Sequence, residues 1–116
     1  MLNEEKLEPI VIDFNKMRQN DLNESFLAAF GNWVKLILQR MFDNPGVGSY
    51  SGGNVKVRGT PTEVRAFARA LGNEKKYIEI AKKYGLDDPR TISNKAKMKR
   101  AAASFERETG IKWPFK

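Results

Sequence analysis

The side chains in this sequence that can do chemistry are carboxylates, lysines, arginines and three tyrosines, because it contains no cysteine and no histidine. That excludes thiolate catalysis, disulfides and cysteine-based zinc sites, and it removes the commonest general base near neutral pH. The paired carboxylates do not make an acid–base device. Asp87 and Asp88 are adjacent before Pro89, which suits the capping of a turn. Glu106 and Glu108 fall on opposing sides of a helix and cannot converge. No nucleophile–base pair is visible, so the sequence predicts no enzyme, no cofactor and no metal. What remains is positive charge: Lys95, Lys97, Lys99, Arg100 and Arg107 crowd one stretch and meet only Glu106 and Glu108 near its far end. Each such cation that reaches a phosphate releases condensed counterions, giving an affinity that falls steeply with salt. The plainer alternative is a solvated amphipathic face.

The distribution of charge supports the first reading. The net charge of +7 conceals an asymmetry: residues 1–50 carry five basic and seven acidic side chains, residues 51–116 sixteen basic and seven acidic. A field of that kind draws anionic partners, nucleic acid first among them. Membrane binding is not expected. The basic stretches lack a large aromatic face for lipid, and the most apolar run, 26–42, is shorter than the roughly 20 apolar residues of a membrane span. The opening MLNEEKLEPIVIDF is acidic and unlike a secretory signal, so the sequence predicts a cytoplasmic protein.

The elements that must position these cations read as one mainly α domain. After an arm over 1–20, Asp21 and Glu24 have capping-box spacing, and Phe26, Phe30, Trp33, Ile37 and Met41 share a face, which predicts a long buried helix over 22–42. Leu27, Val34 and Leu38 widen that face, leaving Glu24, Ala28, Asn32, Lys35 and Gln39 as a narrow polar stripe. Residues 44–59 form a glycine-rich loop and a short strand at Val55 and Val57, which could pair with Ile10 to Asp13 or make a hairpin. The loop, GVGSYSGG, lacks the Gly-Lys-Ser/Thr ending of a phosphate-binding loop.

A basic three-helix unit is predicted over 61–109. Thr60-Pro61-Thr62-Glu63 starts its first helix, whose core stripe is Val64, Phe67, Ala68 and Leu71, with Arg65 and Arg69 pointing away. Gly72-Asn73 is expected to stop that helix and cap a second, with Tyr77, Ile80, Ala81 and Tyr84 inward and Gly85 as terminator. Ser93 is expected to cap a third helix that runs to about Glu108, with Met98, Ala101, Ala102 and Phe105 inside. The tail 110–116 alternates Ile111, Trp113 and Phe115 with other residues and should dock on the core.

Three short helices with tight turns, the last one basic, resemble the helix-turn-helix class of DNA-binding domains over residues 61–108. The matching segment is Ile80-Ala81-Lys82-Lys83-Tyr84-Gly85-Leu86, where a small alanine precedes the turn glycine. The lengthened turn at Asp87-Asp88-Pro89, with Thr91 and Asn94 at usually apolar positions, departs from the family pattern. The resemblance implies that Arg90, Thr91, Ser93, Asn94 and Lys97 would face a groove and that Lys75, Lys76, Lys82 and Lys83 would meet the sugar-phosphate backbone. The candidate nucleic-acid-binding set is therefore Lys82, Lys83, Arg90, Asn94, Lys95, Lys97, Lys99, Arg100 and Arg107, for DNA or RNA. Tyr50, in the glycine loop, is a further stacking candidate for unpaired bases, whereas Tyr77, Tyr84 and Trp113 read as core. Taken whole, the chain is also similar to small marine phage and metagenomic proteins, most visibly in GLDDPRT and FERETGIKWPFK. That likeness would suit a phage-encoded nucleic-acid binder and a minor virion part equally, and the alternative to nucleic-acid binding is a phage-type structural or protein-interaction module whose basic face meets an acidic partner. The wide apolar face of the first helix would fit a homodimer under either reading.

Overall fold

The computed structural model describes residues 9–19, 24–43 and 55–115. The order of elements is β1 (Ile10–Asp13), α1 (Phe14–Gln19), α2 (Glu24–Asp43), β2 (Val55–Arg58), α3 (Pro61–Tyr84) and α4 (Pro89–Thr109). The protein is mainly α. The alternation at 55–58 makes a strand, as its β-branched residues favour. It pairs parallel to β1 with Ile10 opposite Val55 and Ile12 opposite Val57. Parallel pairing needs a long crossover, and α2 provides it. The arm expected over 1–20 therefore contains a strand and a helix turned by Asp13, whose carboxylate accepts the Asn15 and Lys16 backbone N–H groups at 2.9 and 3.3 Å.

The core is built around phenylalanine. Phe14 of α1, Phe30 of α2, Phe67 of α3 and Phe105 of α4 are all buried. Phe67 and Phe105 are 5.9 Å apart between ring centroids, and Phe14 lies 5.7 and 5.9 Å from them. Phe30 completes the group at 6.2 and 5.8 Å, stacked on Phe105. Offset and edge contacts of this kind add to the burial of the rings. The tail docks as expected: Ile111 and Trp113 are buried and Phe115 is half-buried. On α2, Phe30, Val34, Ile37 and Leu38 are buried. Ala28, Asn32, Lys35 and Gln39 lie outside, joined by Leu36. The Asp21 cap and the glycine loop lie outside the described residues.

The largest departure from the sequence reading is that 61–84 is one helix, not two. Gly72-Asn73 does not break it. A glycine inside a helix costs only about 1 kcal/mol relative to alanine, and the residues around this one, Ala70, Leu71 and Glu74, are buried against the rest of the fold. Asn73, instead of capping a new helix, turns its amide back to the Arg69 carbonyl at 2.8 Å. The second correction concerns α4, which begins at Pro89 rather than after Ser93. Asp88 caps it by accepting the Arg90 N–H at 2.9 Å, and proline occupies the first turn. The unit over 61–109 is accordingly a pair of long helices.

The core also ends sooner than the periodicity suggests. After Glu74 no residue of α3 is fully buried: Tyr77, Ile80 and Ala81 are half-covered and Tyr84 is exposed. The far halves of α3 and α4 thus extend as a two-helix arm beyond the phenylalanine cluster.

Candidate nucleic-acid interface

Local chemistry fixes the helix pair at each end. Thr60 and Glu63 form a reciprocal capping box, with Glu63 N–H donating to Thr60 Oγ1 at 3.2 Å and Thr60 N–H to Glu63 Oε1 at 2.9 Å. At the turn, Gly85 has φ +88°, a conformation that favours glycine, and its N–H donates to the Ala81 carbonyl. Thr91 is buried and its hydroxyl donates back to the Gly85 carbonyl at 2.6 Å, tying the start of α4 to the end of α3. The helices then run antiparallel and pack along their length.

A cationic groove follows their seam. Two open depressions of about 220 and 270 Å³ share Arg69 and Ser104. Arg65 and Arg69 line them from α3, Lys97 and Arg100 from α4, with Thr62, Asn73 and Ser104 as neutral polar neighbours and Glu108 at one end. Arg69, Lys97 and Arg100 make no ion pair with any described residue. Arg65 uses one N–H on the Pro61 carbonyl at 3.4 Å. Four cations from two helices thus face one shallow channel against a single carboxylate, and its field is available to an external anion.

The cluster expected on α4 divides over two sides of the helix. Lys97 and Arg100 belong to the groove, whereas Lys95 and Lys99 flank an apolar pocket formed with Met98, Ala102 and Phe115. Arg107 is exposed and lines neither recess, one heptad along α4 from Arg100. Toward the turn, Lys82 places its ammonium 5.2 Å from the Phe42 ring centroid, and Lys83 lies 5.3 Å from that of Tyr84. Arg90 stacks on Tyr84 at 3.4 Å and forks onto Asp88 at 2.9 and 3.0 Å, which holds the Asp88 carboxyl below its ordinary range. Asn94 donates its amide to the Arg90 carbonyl. Arg90 and Asn94, which the resemblance would turn toward a groove, are thus engaged locally at the start of α4.

Two groove residues, Arg65 and Arg69, were outside the sequence-based candidate set. Their spacing on the polar side of α3 was visible, but the continuity of α3 and its antiparallel seam with α4 were not. Of the aromatics weighed as stacking faces, Trp113 is buried, Tyr77 is half-buried and Tyr84, though exposed, already carries Arg90 stacked on its ring with Lys83 nearby. Tyr50 lies outside the described residues.

Glu74 is a buried acidic group whose pKa is displaced in the opposite direction from that of Asp88. It is buried on α3, desolvation raises its pKa, and the Trp113 indole N–H donated to it at 3.0 Å opposes that shift. Its partner is structural, and it stands apart from the groove. Among the described residues no group of three or more acidic side chains could hold a metal ion, and no helix is long and apolar enough to cross a membrane. No family model, curated protein or solved structure matches the chain.

Proposed function

We propose that the protein binds nucleic acid through the cationic groove between α3 and α4. The observation that carries this reading is the convergence of Arg65, Arg69, Lys97 and Arg100 on one channel, with none of the four in an ion pair to a described residue. Arginines and lysines set along a groove of this kind suit a phosphate backbone, while Thr62, Asn73 and Ser104 can add neutral hydrogen bonds. Lys82, Lys83 and Arg107 would extend the positive field at either end. Backbone contact of this type carries little sequence information, and the local engagement of Arg90 and Asn94 at the start of α4 argues in the same direction.

The test is the variant with Arg65, Arg69, Lys97 and Arg100 all changed to alanine. All four are exposed and alanine is the best helix former, so the fold should survive. If each cation neutralises one phosphate, the slope of log affinity against log salt should flatten by about 0.9 per contact on duplex DNA. A folded variant that binds random duplex and single strands like the parent, with the same salt slope, would refute the assignment.

A second reading, docking of an acidic protein partner, draws on one observation: Leu86 and Ile92 are 68% and 57% exposed at the turn, beside the Tyr84–Arg90 stack. Exposed apolar residues within a basic rim are the usual makings of a protein contact. Loss of a partner on changing Leu86 and Ile92, with oligonucleotide binding absent in the parent, would favour it.

A further inference from the structure

The side of α4 opposite the groove carries a different kind of recess. Met98, Ala102 and Phe115 line a partly open apolar recess of about 360 Å³, and Lys95 and Lys99 stand at its rim. The volume lies in the range of small-molecule sites, which combine apolar walls with a few placed polar groups. The two lysines are four residues apart, so their side chains stand one turn apart over the same side of the helix. Both are exposed, and neither is paired with a described acid. Met98 and Ala102, almost fully buried in the α4 face, form the floor of the recess, while Phe115, held against Trp113 at 6.4 Å between centroids, and the lysine stems supply its exposed apolar sides.

An apolar recess whose rim holds two ammonium groups selects its ligand by both ends. A neutral apolar molecule would fill the walls but leave both lysines hydrated, and a cationic one would be repelled. A free phosphate would meet the lysines and gain nothing from the walls. We infer that this pocket binds an anionic amphiphile, a medium-length alkyl chain ending in a carboxylate, with the chain against Met98, Ala102 and Phe115 and the carboxylate between Lys95 and Lys99. The inference is independent of the groove, whose four cations take no part in it.

The experiment uses the full chain carrying ¹³C-methyl methionine, in which the Met98 signal is assigned by Met98→Leu among the four methionines. Decanoate, decanol and decylamine are titrated below their aggregation limits. Decanoate should shift the Met98 methyl saturably and bind at least about tenfold tighter than decanol, the difference a charge-assisted contact supplies. Decylamine should be the weakest. The double variant Lys95→Gln, Lys99→Gln changes only exposed side chains, so it should fold, and it should lower decanoate affinity to that of decanol. No saturable shift at Met98, equal affinity for the three head groups, or an unchanged double variant would each overturn the proposal.

Discussion

Replacing Trp113 by phenylalanine removes one buried hydrogen bond together with part of a packed ring. The indole is 2% exposed, its ring centroid lies 5.2 Å from Phe105 and 6.2 Å from Phe67, and its N–H is donated to the buried Glu74 carboxylate. Phenylalanine keeps a ring in place but shortens it, which costs about 1–2 kcal/mol for the lost contacts and residual space. It also leaves a buried carboxylate without its donor, worth roughly 1.5–3 kcal/mol for a bond to a charged group. The expected loss is about 3 kcal/mol. With about 2.1 cal/mol/K of unfolding entropy per residue, a chain of this size loses about 4 °C per kcal/mol, so Tm should fall by about 12 °C. The decisive assay is a double-mutant cycle by thermal and urea unfolding of the parent, Trp113→Phe, Glu74→Met and the double variant. Removing both partners leaves neither an orphaned carboxylate nor an orphaned N–H, so the two changes should couple by more than about 1 kcal/mol. Additivity within about 0.5 kcal/mol would refute the reasoning, because it would show that the bond contributes nothing separate from packing.

Glu74→Gln preserves an acceptor for Trp113 and removes the ionisable group. Because burial raises the folded-state pKa, the protonated form is favoured in the fold; the stabilisation is complete below the ordinary carboxyl range and is lost as pH rises through the raised value. The glutamine variant should therefore gain most over the parent at neutral pH and least below about pH 4; a gain that grows toward acid pH would reverse that sign. Gly72→Ala should stabilise by about 1 kcal/mol, since an added Cβ would meet nothing within 4 Å and the helix is continuous there; a loss in urea unfolding would restore the break. Asp88→Ala should destabilise by removing the cap and releasing Arg90 from its fork, which unfolding curves would register and an unchanged midpoint would contradict. Gly59→Ala should destabilise, because its Cβ would lie 2.9 Å from Glu63 Oε1 and 3.0 Å from Phe14 Cβ, and a melting temperature at or above the parent's would contradict that crowding.

The outline of the fold was legible because its signals are local. Thr60-Pro61 and Gly110 announce helix ends through cap chemistry, the run from Phe30 to Leu38 announces a buried face through its period, and Val55–Val57 alternates as a strand must. What escaped the sequence is what packing decides. Gly72-Asn73 has the composition of a stop, yet burial of Leu71 and Glu74 on either side holds the helix together. Ser93 is as good a cap as Asp88, and only the position of α4 against Gly85, fixed by Thr91, selects between them. Tyr77 and Tyr84 keep helical spacing but lie beyond the reach of the core. The candidate site suffered the same limit. Lys97 and Arg100 stood out as a local charge excess, whereas Arg65 and Arg69 join them only across the α3–α4 seam.

The parallel strand pair has a consequence for the order in which the molecule can assemble. The helix pair is closed by a short turn, and Phe67 and Phe105 can meet as soon as it forms. Pairing of Ile10 with Val55 must bring together residues about 45 apart, and loop-closure entropy resists that until the contacts around it reward it. The α3–α4 pair should then form the folding nucleus, with β1 and β2 joining after the barrier. Substitutions at Phe67 or Phe105 should slow refolding, while those at Ile10 or Ile12 should chiefly hasten unfolding.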